Sequence, residues 1–67
     1  MSKISINGEI KEVPHNLTVR SLLDHFSLPS QLVAIELNKE VVRKKDWEAT
    51  PVNDGDQVEV VHFVGGG

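Results

Sequence analysis

The last three residues, Gly65-Gly66-Gly67, offer the clearest chemistry in the sequence. Because glycine has no Cβ, Gly65 and Gly66 could thread a partner's active site that is too narrow for side chains. Three extended residues reach about 10 Å beyond a folded domain. The Gly67 carboxylate is ionised at neutral pH and is a poor electrophile, but an enzyme could activate it as an acyl-adenylate. The alternative interpretation is a floppy tail or a remnant of cloning.

The other reactive side chains do not form a catalytic or metal-binding pattern. His15, His25 and His62 lack the spacing of metal ligands on a helix, and we expect His15 and His25 at the surface. Ser21, Asp24 and His25 fall within one predicted helix, where they cannot form an oriented relay. The chain has no cysteine, hence no thiolate nucleophile or Cys-based zinc site. We therefore predict no catalytic residue and no metal.

The chain is too small to enclose a typical substrate. Its 67 residues and 7.4 kDa allow one domain. Such a domain buries about 60% of its unfolded surface and has no room for an ordinary buried ligand cavity. We therefore expect no enzyme and no bound cofactor. The apolar runs are too short to span a membrane, so we expect no membrane segment. The lack of a signal-peptide core and of cysteine favours a cytoplasmic protein.

Charge is distributed unevenly along the chain. The net charge is −3 and the sequence pI is about 5.4, which argues against nucleic acid as a partner. Residues 1–45 carry +2, whereas residues 46–67 hold five acidic residues and no lysine or arginine, giving −5. The acidic half is either a solvated surface that aids solubility or a surface that meets a basic partner.

The elements that must position the glycine tail begin with a predicted β-hairpin near the N-terminus. Ile4 and Ile6 alternate with polar residues, as in a half-buried strand. Asn7-Gly8 is typical of a two-residue type I′ turn, and residues 10–13 form the returning strand.

One helix is predicted over residues 19–27. Thr18 is its expected N-cap, and Pro29 marks its end because the residue before a proline avoids helical geometry. Its apolar stripe consists of Val19, Leu22, Leu23 and Phe26.

The second half of the chain predicts three more strands, at residues 33–37, 41–42 and 57–64. Residues 43–51 are predicted to be irregular, with Trp47 as a satellite core residue beneath this loop. A turn is predicted at residues 53–56. One helix on one face of one sheet gives a two-layer α+β domain, with the apolar last strand central and parallel to the first.

The predicted last strand has apolar residues on both faces near its end. Val58 and Val60 follow one register, whereas Val61 and Phe63 follow the other. Either a β-bulge resets the register, or Val61 and Phe63 form an exposed apolar patch that binds a partner. The sequence leaves both interpretations open.

Several segments spread over the whole chain resemble the ThiS family of ubiquitin-like sulfur carriers in thiamine biosynthesis. They are NG at 7–8, TVRSLL at 18–23, VAIELN at 33–38, DGD at 54–56 and VHFVGGG at 61–67. The family motif is a terminal Gly-Gly pair, which corresponds to Gly66 and Gly67. Gly65 is an extension toward the domain.

The resemblance implies a fold and a chemistry. The fold would be an α+β ubiquitin-like β-grasp, a mixed sheet of four to five strands packed on one main helix, over residues 1–64, with 65–67 as a flexible tail. An E1-like adenylyltransferase (ThiF type) would adenylate Gly67 with ATP. A sulfur donor such as a cysteine desulfurase would supply the sulfur for a thiocarboxylate, and a thiazole synthase (ThiG type) would take it up. The lack of cysteine agrees with sulfur carried at the C-terminus.

Three alternatives share parts of this pattern. A MoaD-type carrier for molybdopterin would have the same fold, ending and activation chemistry. A ubiquitin-like protein modifier would join Gly67 to lysines of its targets, and a structural module would carry an incidental tail. Adenylation separates a carrier from a module, and a free thiocarboxylate rather than an isopeptide bond separates a carrier from a modifier.

Overall fold

The computed structural model describes residues 1–28 and 30–62. These residues form seven strands: β1 Ser2–Ile6, β2 Glu9–Val13, β3 Leu17–Thr18, β4 Val33–Leu37, β5 Glu40–Val42, β6 Pro51–Val52 and β7 Gln57–His62. They also form one α-helix, α1 Val19–His25, and a 3₁₀ helix over Lys44–Ala49. No helix in these two ranges is long and apolar enough to cross a membrane.

Five of the strands form one mixed sheet in the order β2-β1-β7-β4-β5. β1 and β7 are parallel, and the other neighbouring strands are antiparallel. The apolar side chains of α1 join those of the sheet in one core of Ile4, Val13, Val19, Leu22, Leu23, Ile35, Trp47, Val52, Val58 and Val60. The prediction of a two-layer α+β domain, with the last strand central and parallel to the first, is confirmed.

Two hairpins turn through residues with positive φ. Asn7 and Gly8 have φ of 50° and 86°, so the type I′ turn predicted between β1 and β2 is confirmed. Asn38 and Lys39, with φ of 51° and 72°, make the equivalent turn between β4 and β5.

A reciprocal capping box begins α1. The Thr18 hydroxyl accepts a hydrogen bond from the Ser21 N–H at 3.2 Å, and the Ser21 hydroxyl accepts one from the Thr18 N–H at 2.8 Å. The predicted N-cap at Thr18 is therefore confirmed. Ser21 is committed to this cap, which is consistent with its predicted lack of a catalytic role.

The helix ends two residues before the predicted boundary, at His25. Ser27 has φ of 53°, its N–H donates to the Asp24 carbonyl at 3.1 Å, and the Leu28 N–H donates to the Leu23 carbonyl at 2.8 Å. This pair of bonds is a Schellman motif, which closes a helix through a left-handed residue. The terminating role predicted for Pro29 lies outside the described residues.

The segment predicted to be irregular, residues 43–51, is ordered as the 3₁₀ helix and β6, so that prediction is wrong. Trp47 is 2% exposed, so its predicted burial is confirmed, but it belongs to the main core and not to a satellite cluster. Its indole N–H donates to the Val42 carbonyl at 2.9 Å. Burial of this one large side chain holds the polar helical turns against the domain, and β6 then pairs with β3.

Candidate functional site

The end of β7, which leads to the glycine tail, extends beyond its neighbour on one side. β1 pairs with β7 as far as Val58, whereas β4 pairs with it as far as His62. At about 3.3 Å per residue, the last part of β7 projects roughly 13 Å past its pairing with β1. Phe63 and the tail residues Gly65, Gly66 and Gly67 lie outside the described residues.

The Asn7 side chain takes the place of the missing β1 pairing. Its Oδ1 accepts a hydrogen bond from the Val60 N–H at 2.8 Å, and its Nδ2 donates to the Val60 carbonyl at 3.3 Å. The Asn7 backbone N–H also donates to the Val58 carbonyl at 2.9 Å. A side-chain amide has the same donor and acceptor as a peptide group, so Asn7 continues the ladder beyond the turn. The sequence predicted only the turn at this position.

Replacing Asn7 by glycine should lower the free energy of unfolding by about 1–3 kcal/mol, because the buried Val60 N–H loses its partner. Glycine accepts the positive φ of this position, so backbone strain does not contribute to the loss. Urea denaturation followed by circular dichroism would measure the change.

Lys39→Gly is the matched control for the entropy that glycine adds to the unfolded chain. Lys39 also has positive φ, at 72°, and is exposed on a hairpin turn. Glycine relieves the strain of that conformation, so the stability of this variant should stay within about 0.5 kcal/mol of the wild type. Equal losses at Asn7 and Lys39 would show that the Asn7 amide does not hold β7.

Val61 lies on the face of the sheet opposite α1. β7 pairs residue for residue with β4, from Leu37↔Val58 to Val33↔His62. This continuous register contradicts a β-bulge within β7. Val60 therefore faces the core, and Val61, 44% exposed, faces outward. Whether Val61 docks a partner remains a prediction, and its proposed companion Phe63 lies outside the described part of the chain.

Two of the acidic residues in the second half of the chain have structural partners. One carboxylate oxygen of Asp54 accepts from the Lys3 N–H at 2.7 Å. Asp56 accepts from the Asn53 N–H at 2.7 Å and from the Asn38 side-chain amide at 3.1 Å. These contacts fix the predicted turn before β7. The question of a basic partner therefore concerns the remaining carboxylates, of which Glu59 lies on the outward face beside Val61.

The three histidines do not meet. His15 is exposed, as predicted, with its Nδ1 2.8 Å from the Ser2 hydroxyl and its Nε2 2.9 Å from the Met1 amino group. His25 is also exposed and packs edge-on against Phe26, with ring centroids 4.8 Å apart. Within residues 1–28 and 30–62, no group of three or more potential ligands could hold a metal ion.

This domain, a mixed five-stranded sheet packed on one helix, has the same fold as a solved protein with a related sequence. The crystal structure of the thiamine biosynthesis protein ThiS from Geobacter metallireducens superposes with a TM-score of 0.86 at 37% identity, covering 97% of this chain and 99% of that one. The solution structure of a thiamine biosynthesis protein from the same organism gives 0.79, covering 97% and 87%. The molecule is therefore a ubiquitin-like β-grasp domain whose central strand leads to a glycine tail.

The family follows from the sequence matches. The ThiS family model matches residues 4–67. The sulfur carrier protein ThiS of Bacillus subtilis is 35% identical over 65 residues, covering 96% of this chain and 98% of the relative. The chain belongs to the ThiS family, which confirms the resemblance found in the sequence.

A second group of relatives is much longer than this chain. The thiazole synthase of Paramagnetospirillum magneticum is 43% identical over 65 residues, and that of Magnetococcus marinus is 40% identical over 65 residues. Each match covers 97% of this chain, which spans 20% of the length of either relative.

Proposed function

We propose that this protein is a sulfur carrier of thiamine biosynthesis, with sulfur carried as a thiocarboxylate on Gly67. The observation that carries the proposal is the match to the sulfur carrier ThiS of Bacillus subtilis, which spans 98% of that relative. The family match itself includes the glycine tail, since it runs to residue 67.

The chemistry starts from the ionised Gly67 carboxylate. One of its oxygens attacks the α-phosphorus of ATP, and pyrophosphate leaves. The resulting acyl-adenylate is a strong electrophile because AMP is a good leaving group. A sulfur nucleophile at the oxidation level of sulfide adds to the carbonyl carbon and expels AMP, which leaves a thiocarboxylate without net redox change.

The carrier supplies the tail, and its partners supply catalysis. ATP is bound by an E1-like adenylyltransferase of the ThiF type. A donor such as a cysteine desulfurase provides the sulfur as an enzyme persulfide, and a thiol attacks the inner sulfur of that persulfide, forms a disulfide with the enzyme and releases the outer sulfur as sulfide. The carrier itself is a co-substrate that binds no cofactor. The absence of cysteine supports storage of sulfur at the terminus and a reducing compartment, the cytoplasm.

A thiazole synthase of the ThiG type is the proposed acceptor. Two thiazole synthases contain a segment similar to nearly all of this chain. A carrier-like segment within the acceptor polypeptide has a high effective concentration at the acceptor site, as expected for two parts that act together. We therefore propose that Val61 and Phe63 belong to a surface through which the free carrier meets its partners.

The proposal predicts that the free carboxylate of Gly67 is indispensable. With ATP, the cognate adenylating enzyme and a sulfide source, the protein should gain the mass difference between sulfur and oxygen. A variant with one alanine added after Gly67 should gain none, because its carboxylate no longer follows the Gly-Gly pair. Intact-mass spectrometry measures both reactions.

Three outcomes of that reaction would contradict the proposal. A thiocarboxylate on the added alanine would show that the tail sequence does not matter. An isopeptide product with lysines of other proteins would indicate a modifier. Formation of the thiocarboxylate followed by transfer to molybdopterin synthesis, and not to thiazole, would indicate a MoaD-type carrier.

A further inference from the structure

Strand β2 leaves one edge of the five-stranded sheet open. In the described part of the chain, β2 has a single neighbouring strand, β1, with which it pairs without interruption from Glu9 to Val13. Proteins commonly protect such an edge with a proline or a β-bulge, and β2 has neither. The side chain of Ile10 on this strand is 70% exposed. An edge of this kind is a template for a further strand.

The hydrogen bonds of β1 show which backbone groups of β2 point to the open side. The Ser5 N–H donates at 3.0 Å to the carbonyl of Asp56, the residue before β7, so the backbone of Ser5 faces away from β2. Ser5 lies opposite Ile10, and in an antiparallel ladder such a pair exchanges no hydrogen bonds. The N–H and C=O groups of Ile10 therefore point to the open edge, as do those of Glu12 two residues further on.

The sequence of this edge is self-complementary when two copies of the chain lie antiparallel. A two-fold axis at Ile10 places Ile10 of one copy opposite Ile10 of the other, where the two residues can exchange both backbone hydrogen bonds. The same axis places Glu9 of each copy opposite Lys11 of the other. Lys11 pairs with the core residue Ile4, so these opposite charges lie on the α1 side of the sheet and the isoleucines lie on the outward side.

Other registers of the same contact are unfavourable. An axis at Lys11 places two lysines directly opposite each other, and an axis at Glu9 or Glu12 does the same with two glutamates. Like charges directly opposite on neighbouring strands destabilise a sheet, whereas unlike charges stabilise it. Of the axes through residues 9–12, the one at Ile10 alone pairs an apolar residue with itself and sets unlike charges on both sides of it.

A depression on the α1 side adjoins the two charged residues. It has a volume of about 300 Å³ and is lined by Ile6, Asn7, Glu9, Lys11, Phe26 and Leu28. Within one chain the Lys11 Nζ lies 3.7 Å from the Glu9 Oε1, and both side chains are exposed. Such an exposed pair contributes little to the fold, so both residues are available to a second copy. The apolar part of the depression offers contact to the methylene stem of a lysine that a second copy brings.

We propose that the open edge of β2 is a self-association surface, at which two copies of this chain join antiparallel about a two-fold axis at Ile10. The contact joins the two five-stranded sheets into one continuous sheet. β1 and β2 separate β7 from the axis, so the end of β7 stays free in each copy. The two β7 strands run in opposite directions about 24 Å apart and end on opposite sides of the dimer. This inference is independent of the proposed sulfur-carrier function.

The first test is the oligomeric state of the full chain in solution. The paired segment is short, so the dimer should be weak, with a dissociation constant on the order of 0.1–1 mM. Sedimentation equilibrium at concentrations from roughly 0.02 to 2 mM should show a monomer–dimer equilibrium. A protein that keeps the monomer mass throughout this range would overturn the proposal.

Charge reversals test which residues face each other. Lys11→Glu sets glutamates opposite each other at two places in the dimer, and Glu9→Lys does the same with lysines, so each variant alone should raise the dissociation constant about tenfold. An equimolar mixture of the two variants should associate as the wild type does, because unlike charges are again opposite. Lys45→Glu is the control for net charge. Lys45 is exposed on the 3₁₀ helix beyond β5, and this variant should associate normally.

Two results of this experiment would contradict the proposed edge. One is wild-type association by Lys11→Glu or Glu9→Lys alone. The other is a mixture that stays as weakly associated as its two components. Melting curves of the dilute variants should lie close to that of the wild type, since the replaced side chains are exposed, so loss of association is not caused by unfolding.

Cross-linking tests the position of the axis. The chain has no cysteine, so Ile10→Cys introduces a single thiol, and the Cα atoms of the two substituted residues in the dimer lie about 5.5 Å apart. Glu12→Cys is the matched control on the same face and the same edge, but its two Cα atoms lie about 14 Å apart. A bifunctional thiol reagent shorter than this separation should link Ile10→Cys at least about tenfold faster than Glu12→Cys. Equal rates of linking would overturn the axis at Ile10.

Discussion

Replacing Gly66 by valine should reduce adenylation of the tail about a hundredfold and leave the fold unchanged. The proposed mechanism threads the tail through a narrow channel to ATP, and a branched side chain there displaces the reacting carbon by an ångström or more. Valine also restricts the backbone conformations that the bound tail can adopt. Residue 66 follows β7, so the core is not expected to respond. ATP–pyrophosphate exchange with the cognate adenylating enzyme is the measurement.

Alanine and valine at position 66 form a graded pair of substitutions. Gly66→Ala adds a single methyl group and should give an exchange rate between those of the wild type and the valine variant. Melting curves by circular dichroism should coincide for all three proteins. If the valine variant exchanges at the wild-type rate, the tail does not enter a tight channel and the glycines are a linker.

Replacing Trp47 by alanine should cost about 3–5 kcal/mol, because it leaves a large cavity in a small core. Trp47 is 2% exposed, and its indole N–H donates to the Val42 carbonyl at 2.9 Å. A domain of this size has a total stability of roughly 3–10 kcal/mol. The variant should therefore be largely unfolded or close to its midpoint at 37 °C. Circular dichroism is the suitable probe, since the only tryptophan has been removed.

Trp47→Phe separates packing from hydrogen bonding. Phenylalanine retains an aromatic ring in the core but lacks the N–H, so the loss should be about 1–2 kcal/mol. Denaturant midpoints of the two variants should differ clearly. An alanine variant as stable as the phenylalanine variant would mean that the 3₁₀ helix is held by something other than the burial of Trp47.

The parts of the fold that the sequence predicted depend on local chemistry. Asn7-Gly8 specifies its turn because both residues accept positive φ, and Thr18 begins the helix because its side chain satisfies a backbone N–H nearby. The central position of β7 followed from the apolar character of the last predicted strand. Each of these signals lies within a few residues of the structure it determines.

The parts that the sequence did not predict carry no recognisable signal in the residues that form them. The helix boundary was misplaced because the Schellman bonds close at Ser27, which carries no glycine signal. The polar sequence of Lys44–Ala49 shows no apolar period, and the turns form because Trp47 is buried. The contact of Asn7 with Val60 joins residues 53 apart in sequence.

The residues of the candidate site likewise fall into those that the sequence predicted and those that it did not. The tail and Val61 were predicted from the sequence because a glycine run and a break in the alternation of apolar and polar residues are local features. Val41 and Glu36 lie beside Val61 and Glu59 on the outward face only through the pairing of β4 with β5 and β7. Strand register is a long-range property, so no pattern within a single segment could have grouped them.

β7 is hydrogen-bonded to β4 on one side and to the Asn7 side chain on the other, which determines how it resists a pull on the tail. An enzyme that draws the tail into its active site pulls along the axis of β7. The hydrogen bonds to β4, and those of Asn7 to Val60, run across that axis, so traction loads them together in shear and does not peel them apart one by one. The strand that leads to the proposed reactive end is thus an anchor. A pull on the tail is carried into the whole sheet before any single pairing yields.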